Sequence, residues 1–117
     1  MFCVVKLSGD LPLGTVVQFD TVNNVWTTAT AHNDLIGVIS QAPQQNEDDL
    51  TWWAPVVFAG VTQALAHEAI PDQGGELSIN NGKVLVDNTA DGCGIIAPIA
   101  RGQASRVAND LVMVHIR

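Results

Sequence analysis

Tyrosine is absent from this chain, cysteine occurs twice, and only five residues are lysine or arginine. Each scarcity excludes a class of protein. Nucleic-acid binding needs cations that displace phosphate counterions, and a formal net charge of −7 is the wrong sign for it. Two cysteines without a CxxC spacing make neither a disulfide framework nor a metal clip, so Cys3 and Cys93 are expected to be reduced, buried small hydrophobes. No apolar run is long enough to span a bilayer, and the opening residues lack the charged lead and apolar run of a secretory signal. The expectation is a protein made in the cytoplasm, with no membrane partner.

Helix and catalytic signals are scarce too. Residues 63–70 (QALAHEAI) are the one helix-permissive segment, and Pro71 ends it, which predicts at most one short helical turn over a barrel mouth. His67 and Glu68 are adjacent, but no nucleophile or third group accompanies them, so they read as a surface pair. Glu47, Asp48 and Asp49 are consecutive, without the alternating oxygens and glycine of a calcium loop, and read as a solvated tip. His115 has no second His or Cys at ligand spacing. No catalytic, metal or cofactor-binding residue is assigned, and the chain reads as a non-enzyme.

What is present is apolar. At 117 residues the chain can bury a core in one domain, and a hydrophobic fraction of 47% exceeds what a small monomer needs, which places some of the surplus in a subunit interface. Charge is unevenly spread. Lys6 is the only base before Asn80, whereas Lys83, Arg101, Arg106 and Arg117 follow it. Arg101 and Arg106 either face an acidic surface on a neighbour or are solvated.

Short strands and turns organise the chain. Residues 54–61 (APVVFAGV) are too short for a globular helix and read as the central strand. On either side lie segments of similar plan, residues 14–40 and 75–97: a strand, an Asn-Asn turn, a returning strand, a polar spacer, then Asp-x-x-Gly and aliphatics. The Asn81-Gly82 step is a strong hairpin signal, because both residues tolerate positive φ. Gly37 inside its strand suggests a bulge or a bend at a barrel corner, where a side chain would block close backbone approach. Residues 2–7 read as a first strand or arm, so residues 1–13 are an N-terminal strand or arm and residues 14–117 a single β-barrel domain. Residues 111–116 alternate, with Leu111, Met113 and His115 on one face. The fold class expected is all-β: a small antiparallel barrel or sandwich of short strands and hairpins.

Neighbours in a strand point to opposite faces, so one of Trp52 and Trp53 enters the core and the other faces solvent, a partner or the chain's own loops. Phe2, Trp52, Trp53, Arg101 and Arg106 are the candidate interface residues.

Residues 14–20, DLIGVI at 34–39, VVFAGV at 56–61, IPDQGGEL at 70–77, NGKV at 81–84 and GIIA at 94–97, closed by an alternating terminal strand, resemble the small β-barrel decoration proteins of tailed-phage capsids, also called cement or head-stabilising proteins. The resemblance covers roughly residues 14–117. It implies a non-enzymatic homotrimer on the outer capsid surface of the virion, bridging major capsid protein subunits. The Trp52-Trp53 pair and the acidic loop depart from that pattern. Two alternatives stand beside it: a domain of a trimeric phage tail fibre or spike, and a carbohydrate-binding β-module that stacks sugars on Trp52 or Trp53.

Overall fold

A computed structural model describes residues 2–30, 36–70, 75–86, 95–97 and 108–116. None of these residues is helical. The strands are β1 (Phe2–Leu7), β2 (Val16–Asp20), β3 (Val25–Thr28), β4 (Ile36–Ile39), β5 (Gln44–Gln45), β6 (Trp52–Val57), β7 (Gly60–Leu65), β8 (Gly75–Asn80), β9 (Lys83–Val86), β10 (Ile95–Ala97) and β11 (Leu111–Ile116). The all-β expectation holds.

The first sheet runs β1-β3-β2-β4-β6, and pairing of β1 with β6 closes it into a five-stranded barrel. Closure between β1 and β3 is thin: one parallel pair, Leu7 with Trp26, plus the Ser8 amide donating to the Trp26 carbonyl at 2.8 Å. β5 extends the β4 edge of β6 after a break. The break falls beside Pro55, which has no amide to give to that edge, although its carbonyl accepts from Ser40 at 3.0 Å. Inside the barrel, Trp26 lies between Phe19 and Phe58, with ring centroids 5.5 and 5.1 Å away. A Cβ on Gly37 would collide with the Val56 side chain and stand 3.1 Å from the Phe58 ring, so side chains and not a neighbouring backbone leave no room there.

The second sheet runs β7-β11-β10-β8-β9 and curls until Ala66 forms a parallel bridge with Val84. This is the first barrel again. β7 to β11 repeat the order and sense of β1, β2, β3, β4 and β6, and each register repeats as well. Val17 faces Gly37 and Leu77 faces Ile95; Phe19 faces Trp26 and Ile79 faces Val84. Val57 faces Val38 and His115 faces Ile96. Even the closing bond recurs, with the His67 amide donating to the Val84 carbonyl at 2.7 Å as Ser8 does to Trp26.

One core makes the two barrels a single body. Thirteen of the described residues form the larger buried cluster, and Val16, Ala29, Ile36 and Val38 bring the first barrel into the second barrel's interior. The smaller cluster fills the first barrel with Leu7, Val17, Ile39, Ala54 and Val56. β4 is buried on both faces because it lies between the two, which accounts for its unbroken apolar run.

Three features differ from the sequence reading. Residues 54–61 are not one strand: β6 ends at Val57 and β7 starts at Gly60, whose φ of +102° lets the chain pass between sheets. The helix-permissive segment is not helical: residues 63–65 belong to β7 and Ala66 bridges to Val84, with Ala64 and Ala66 fully buried. Cys3 is a free thiol but exposed: it shares a face of β1 with Val5 and Leu7, yet lies near the start of the strand, outside the cluster that buries them; Cys93 lies outside the described residues. The Asn turns and the faces of β11 are as read, with φ of +56° at Asn24 and +49° at Asn81 and with Val112, Val114 and Ile116 inward.

The barrels join where the Asn81-Gly82 turn inserts into the end of the β2–β3 hairpin. Val16 donates to the Gly82 carbonyl at 2.8 Å, Gly82 donates to Ala29 at 2.6 Å, and Ala29 donates to Val16 at 2.9 Å. Gly82 has φ +81°, and a Cβ there would meet Thr28 at 2.7 Å and Thr15 at 3.0 Å. Strain and overpacking therefore coincide at this position. Gly82→Ala is expected to lower stability in a urea titration by about 2–4 kcal/mol. Gly9→Ala, whose Cβ would meet nothing within 4 Å, should stay within about 0.5 kcal/mol of the parent. Small, equal losses at both positions would contradict this junction.

Candidate functional site

Among the described residues, the first barrel carries a concavity on each side of β1. The smaller, about 200 Å³, lies on the outer face of β6 and is lined by Val4, Gln41, Ala42, Gln44, Trp53 and Pro55. Register builds it. Val4 faces Pro55 and Lys6 faces Trp53, so alternate side chains of the two strands share one outward surface. Val4 is 59% exposed and Trp53 38%.

Trp53 is held in place by the acidic loop. Its indole Nε1 donates to Thr51 Oγ1 at 2.7 Å, and that hydroxyl donates to Asp49 Oδ1 at 2.6 Å. Asn46 closes the loop further, accepting from the Leu50 amide on its carbonyl at 2.8 Å and from the Asp48 amide on Oδ1 at 2.9 Å. The hydrogen bonds from Thr51, with a smaller contribution from the Lys6 charge, hold the Asp49 carboxyl below its ordinary value of 3.8. Residues 46–51 thus shape their own loop and aim a ring into solvent. Among the described residues no three His, Cys, Asp or Glu side chains gather as a metal site would require.

The larger concavity, about 500 Å³, is the wedge between β1 and β3, which separate beyond their single pair. Lys6, Ser8, Asp20, Asn23, Thr27 and Thr51 give it polar walls, and Leu7, Val25, Leu50 and Trp52 an apolar floor. Asp20 braces the β2–β3 turn: its Oδ1 accepts from the Val22 amide at 2.9 Å, and its Oδ2 from Asn23 Nδ2 at 2.8 Å. Bonds from the Asn23 side chain and backbone pull the Asp20 carboxyl below 3.8. Ser8 Oγ donates to Thr27 Oγ1 at 3.1 Å across the wedge.

The tryptophan pair divides as the strand pleat requires. Trp52 packs against the first barrel's core and Trp53 points out. Phe2 opens β1, paired with Val57, while Arg101 and Arg106 lie outside the described residues. His67 and Glu68 are exposed just past β7, and His115 is exposed on β11, far along the sequence from the Trp53 face. Sequence reasoning did not single out Val4, Lys6 or Asn23. The available signal was Lys6 itself, a lone cation inside an otherwise apolar strand.

No protein-family model, curated protein or solved structure matches this chain.

A depressed carboxyl stabilises the fold above the unfolded value, and that stabilisation is lost as pH falls through the folded value. The Asp20 carboxyl signal in an NMR titration should therefore have its midpoint below 3.8, and Asp20→Asn should flatten the acid limb of the stability curve below that pH. A midpoint above 3.8 would contradict the turn's geometry.

Proposed function

We propose that this chain is a non-enzymatic structural protein that decorates the outside of an assembled phage capsid as a homotrimer and stabilises the shell by bridging major capsid protein subunits. The observation that carries the reading is the Trp53 face: an exposed ring fixed by Thr51, flanked by Val4 and Pro55, on a rigid barrel wall. A fixed aromatic loses little conformational freedom on docking and brings a large apolar area with it, the features of an interface anchor. The resemblance of the turn and strand motifs to decoration proteins supplies the partner.

Mechanically the fold suits the task. Pairing of β1 with β6 closes the first barrel and the short β5 covers part of β6, which leaves the wedge where β1 and β3 share one pair as its open stretch. One Trp53 patch per subunit is a modest contact. Three patches on one trimer bind together, because after the first docks the others act at high effective concentration.

Trp53→Ala should lower retention on shells assembled without this chain by about 30-fold or more in co-sedimentation, with the circular dichroism spectrum unchanged. Val22→Ser, at a fully solvated turn position, should bind as the parent does. Unaltered retention of the Trp53 variant, or no retention of the parent protein, would overturn the proposal.

A further inference from the structure

Two wedges of one topology differ in what they hold. In the second barrel the wedge between β7 and β9 is filled by the chain itself: the Leu65 amide donates to the Gly14 carbonyl at 2.9 Å and the Val16 amide to the Gly82 carbonyl at 2.8 Å. A Cβ on Gly14 would stand 3.2 Å from the Leu65 side chain, so no room remains there. In the first barrel the counterpart, between β1 and β3, is the open cleft of about 500 Å³. Register shows what differs between them. Lys6 stands where Leu65 does and Thr27 where Leu85 does, so two aliphatic positions of the second barrel are a cation and a hydroxyl on the first. The open cleft falls within the range of about 300–1,000 Å³ that small-molecule sites occupy.

Its polar groups form a connected set with hydrogen-bonding capacity left over. The Val22 and Asn23 amides donate to Asp20 Oδ1 at 2.9 and 3.2 Å, and Asn23 Nδ2 donates to Oδ2 at 2.8 Å. A carboxylate accepts at about four lone-pair sites, so Asp20 is held in place and still accepts at Oδ2. Asn23 keeps its side-chain carbonyl as a further acceptor. Ser8 Oγ donates to Thr27 Oγ1 at 3.1 Å, which leaves the Thr27 hydroxyl proton to donate. Lys6, exposed on β1, adds an ammonium. The β2–β3 turn thus supplies acceptors, and β1 and β3 supply donors.

Charge narrows the ligand. Lys6 is the one cation in the lining and Asp20 the one anion, and the Lys6 charge also reaches Asp49. An anionic ligand meets carboxylates beside the lysine, and a cationic ligand meets the lysine. A neutral molecule rich in hydroxyls, each both donor and acceptor, satisfies the whole set.

The rim adds an apolar contact. Leu50 has φ of +60°, a strained conformation for a bulky side chain, and is 65% exposed. Its amide donates to the Asn46 carbonyl at 2.8 Å and its carbonyl accepts from Gln45 Nε2 at 3.2 Å, so the loop fixes it there. With Val25 and Trp52, Leu50 sets apolar surface beside the hydrogen-bonding wall. A pyranose ring has the same two kinds of surface, C–H patches next to hydroxyls.

We infer that the cleft between β1 and β3 binds a neutral saccharide, with Asp20 and Asn23 accepting from its hydroxyls, Lys6 and Thr27 donating to them, and Leu50 against its ring C–H groups. The inference goes beyond the proposed function and does not depend on it. Trp53 does not line this cleft, so a copy docked through that ring keeps the sugar site, and many copies on one shell bind a polysaccharide surface together.

The test is an NMR titration of the isotope-labelled full-length chain with trisaccharides of glucose, galactose, mannose and N-acetylglucosamine as neutral probes, and with sialyllactose and a chitosan trisaccharide as charged ones. The expected result is saturable shifts at Lys6, Asp20, Asn23, Thr27 and Leu50 with at least one neutral probe, and tighter binding of that probe than of either charged one. Lys6→Met should weaken this binding about tenfold or more and Thr27→Val about fivefold. Signals away from the cleft stay in place in both variants, which separates a lost contact from a misfolded chain. Trp53→Ala should bind the probe as the parent does. No shift with any neutral probe, tighter binding of a charged probe, or binding that is lost with Trp53→Ala and indifferent to Lys6→Met and Thr27→Val would overturn the inference. So would cleft shifts that grow with the chain's own concentration, which assign the cleft to a second copy. Shell retention is scored separately: shell binding without sugar binding overturns this inference alone, and sugar binding without shell binding overturns the decoration reading alone.

Discussion

The triangle of backbone hydrogen bonds among Val16, Gly82 and Ala29 sets the geometry on which the rest depends. In an uninterrupted hairpin Val16 and Ala29 would exchange both bonds with each other. Gly82 intercepts one of the two, its carbonyl accepting from Val16 and its amide donating to Ala29, while the bond from Ala29 to Val16 stays direct. Only a residue without a side chain fits there, with Thr15 and Thr28 on either side and φ positive. Because the inserted group is backbone, both barrels keep their amides satisfied while their apolar interiors merge into one cluster. Small five-stranded barrels bury little surface alone; the merged core gives each what it lacks.

The local structure was largely written in the residues. Asn24, Asn81 and Gly82 turn the hairpins because they tolerate positive φ, and the alternation of β11 fixes its inward face. The split fates of Trp52 and Trp53 follow from the two-residue period of a strand. Part of the duplication was visible as well, in the matching plans of residues 14–40 and 75–97. What escaped was its full extent. β1 and β7 are counterparts by position and register, yet FCVVKL and GVTQAL share no pattern that marks them as such. The passage between barrels was hidden for a related reason: Phe58 and Ala59 continue the apolar run, and Gly60 is the only residue there to signal a break. Residues 63–65 lie in β7 because of their partners in β11, and no local propensity reports a partner so far along the chain.

The repeated strand plan, with different residues in each copy, also explains why the candidate site lies on one barrel. Both wedges form for the same topological reason, a parallel closing pair from which the strands separate. The second became apolar and was filled from within by the first barrel. The first kept Lys6, Ser8, Asp20, Asn23 and Thr27 and stayed open. Beside it the loop of residues 46–51, with its network through Asn46, Asp49 and Thr51, holds Trp53 outward. The cleft beside β3 and the Trp53 face thus flank β1, with Lys6 paired to Trp53 between them.

Native-state hydrogen exchange at individual amides addresses the joined barrels most directly. If Gly82 locks them into one body, the amides of Val16, Ala29, Leu65 and Gly82 exchange only through global unfolding, with the same free energy as those of Val56 and Val114 in the barrel interiors. Junction amides that exchange through a lower-energy opening, while Val56 and Val114 stay protected, would mean that the barrels separate without unfolding, and the single-body structure would be contradicted.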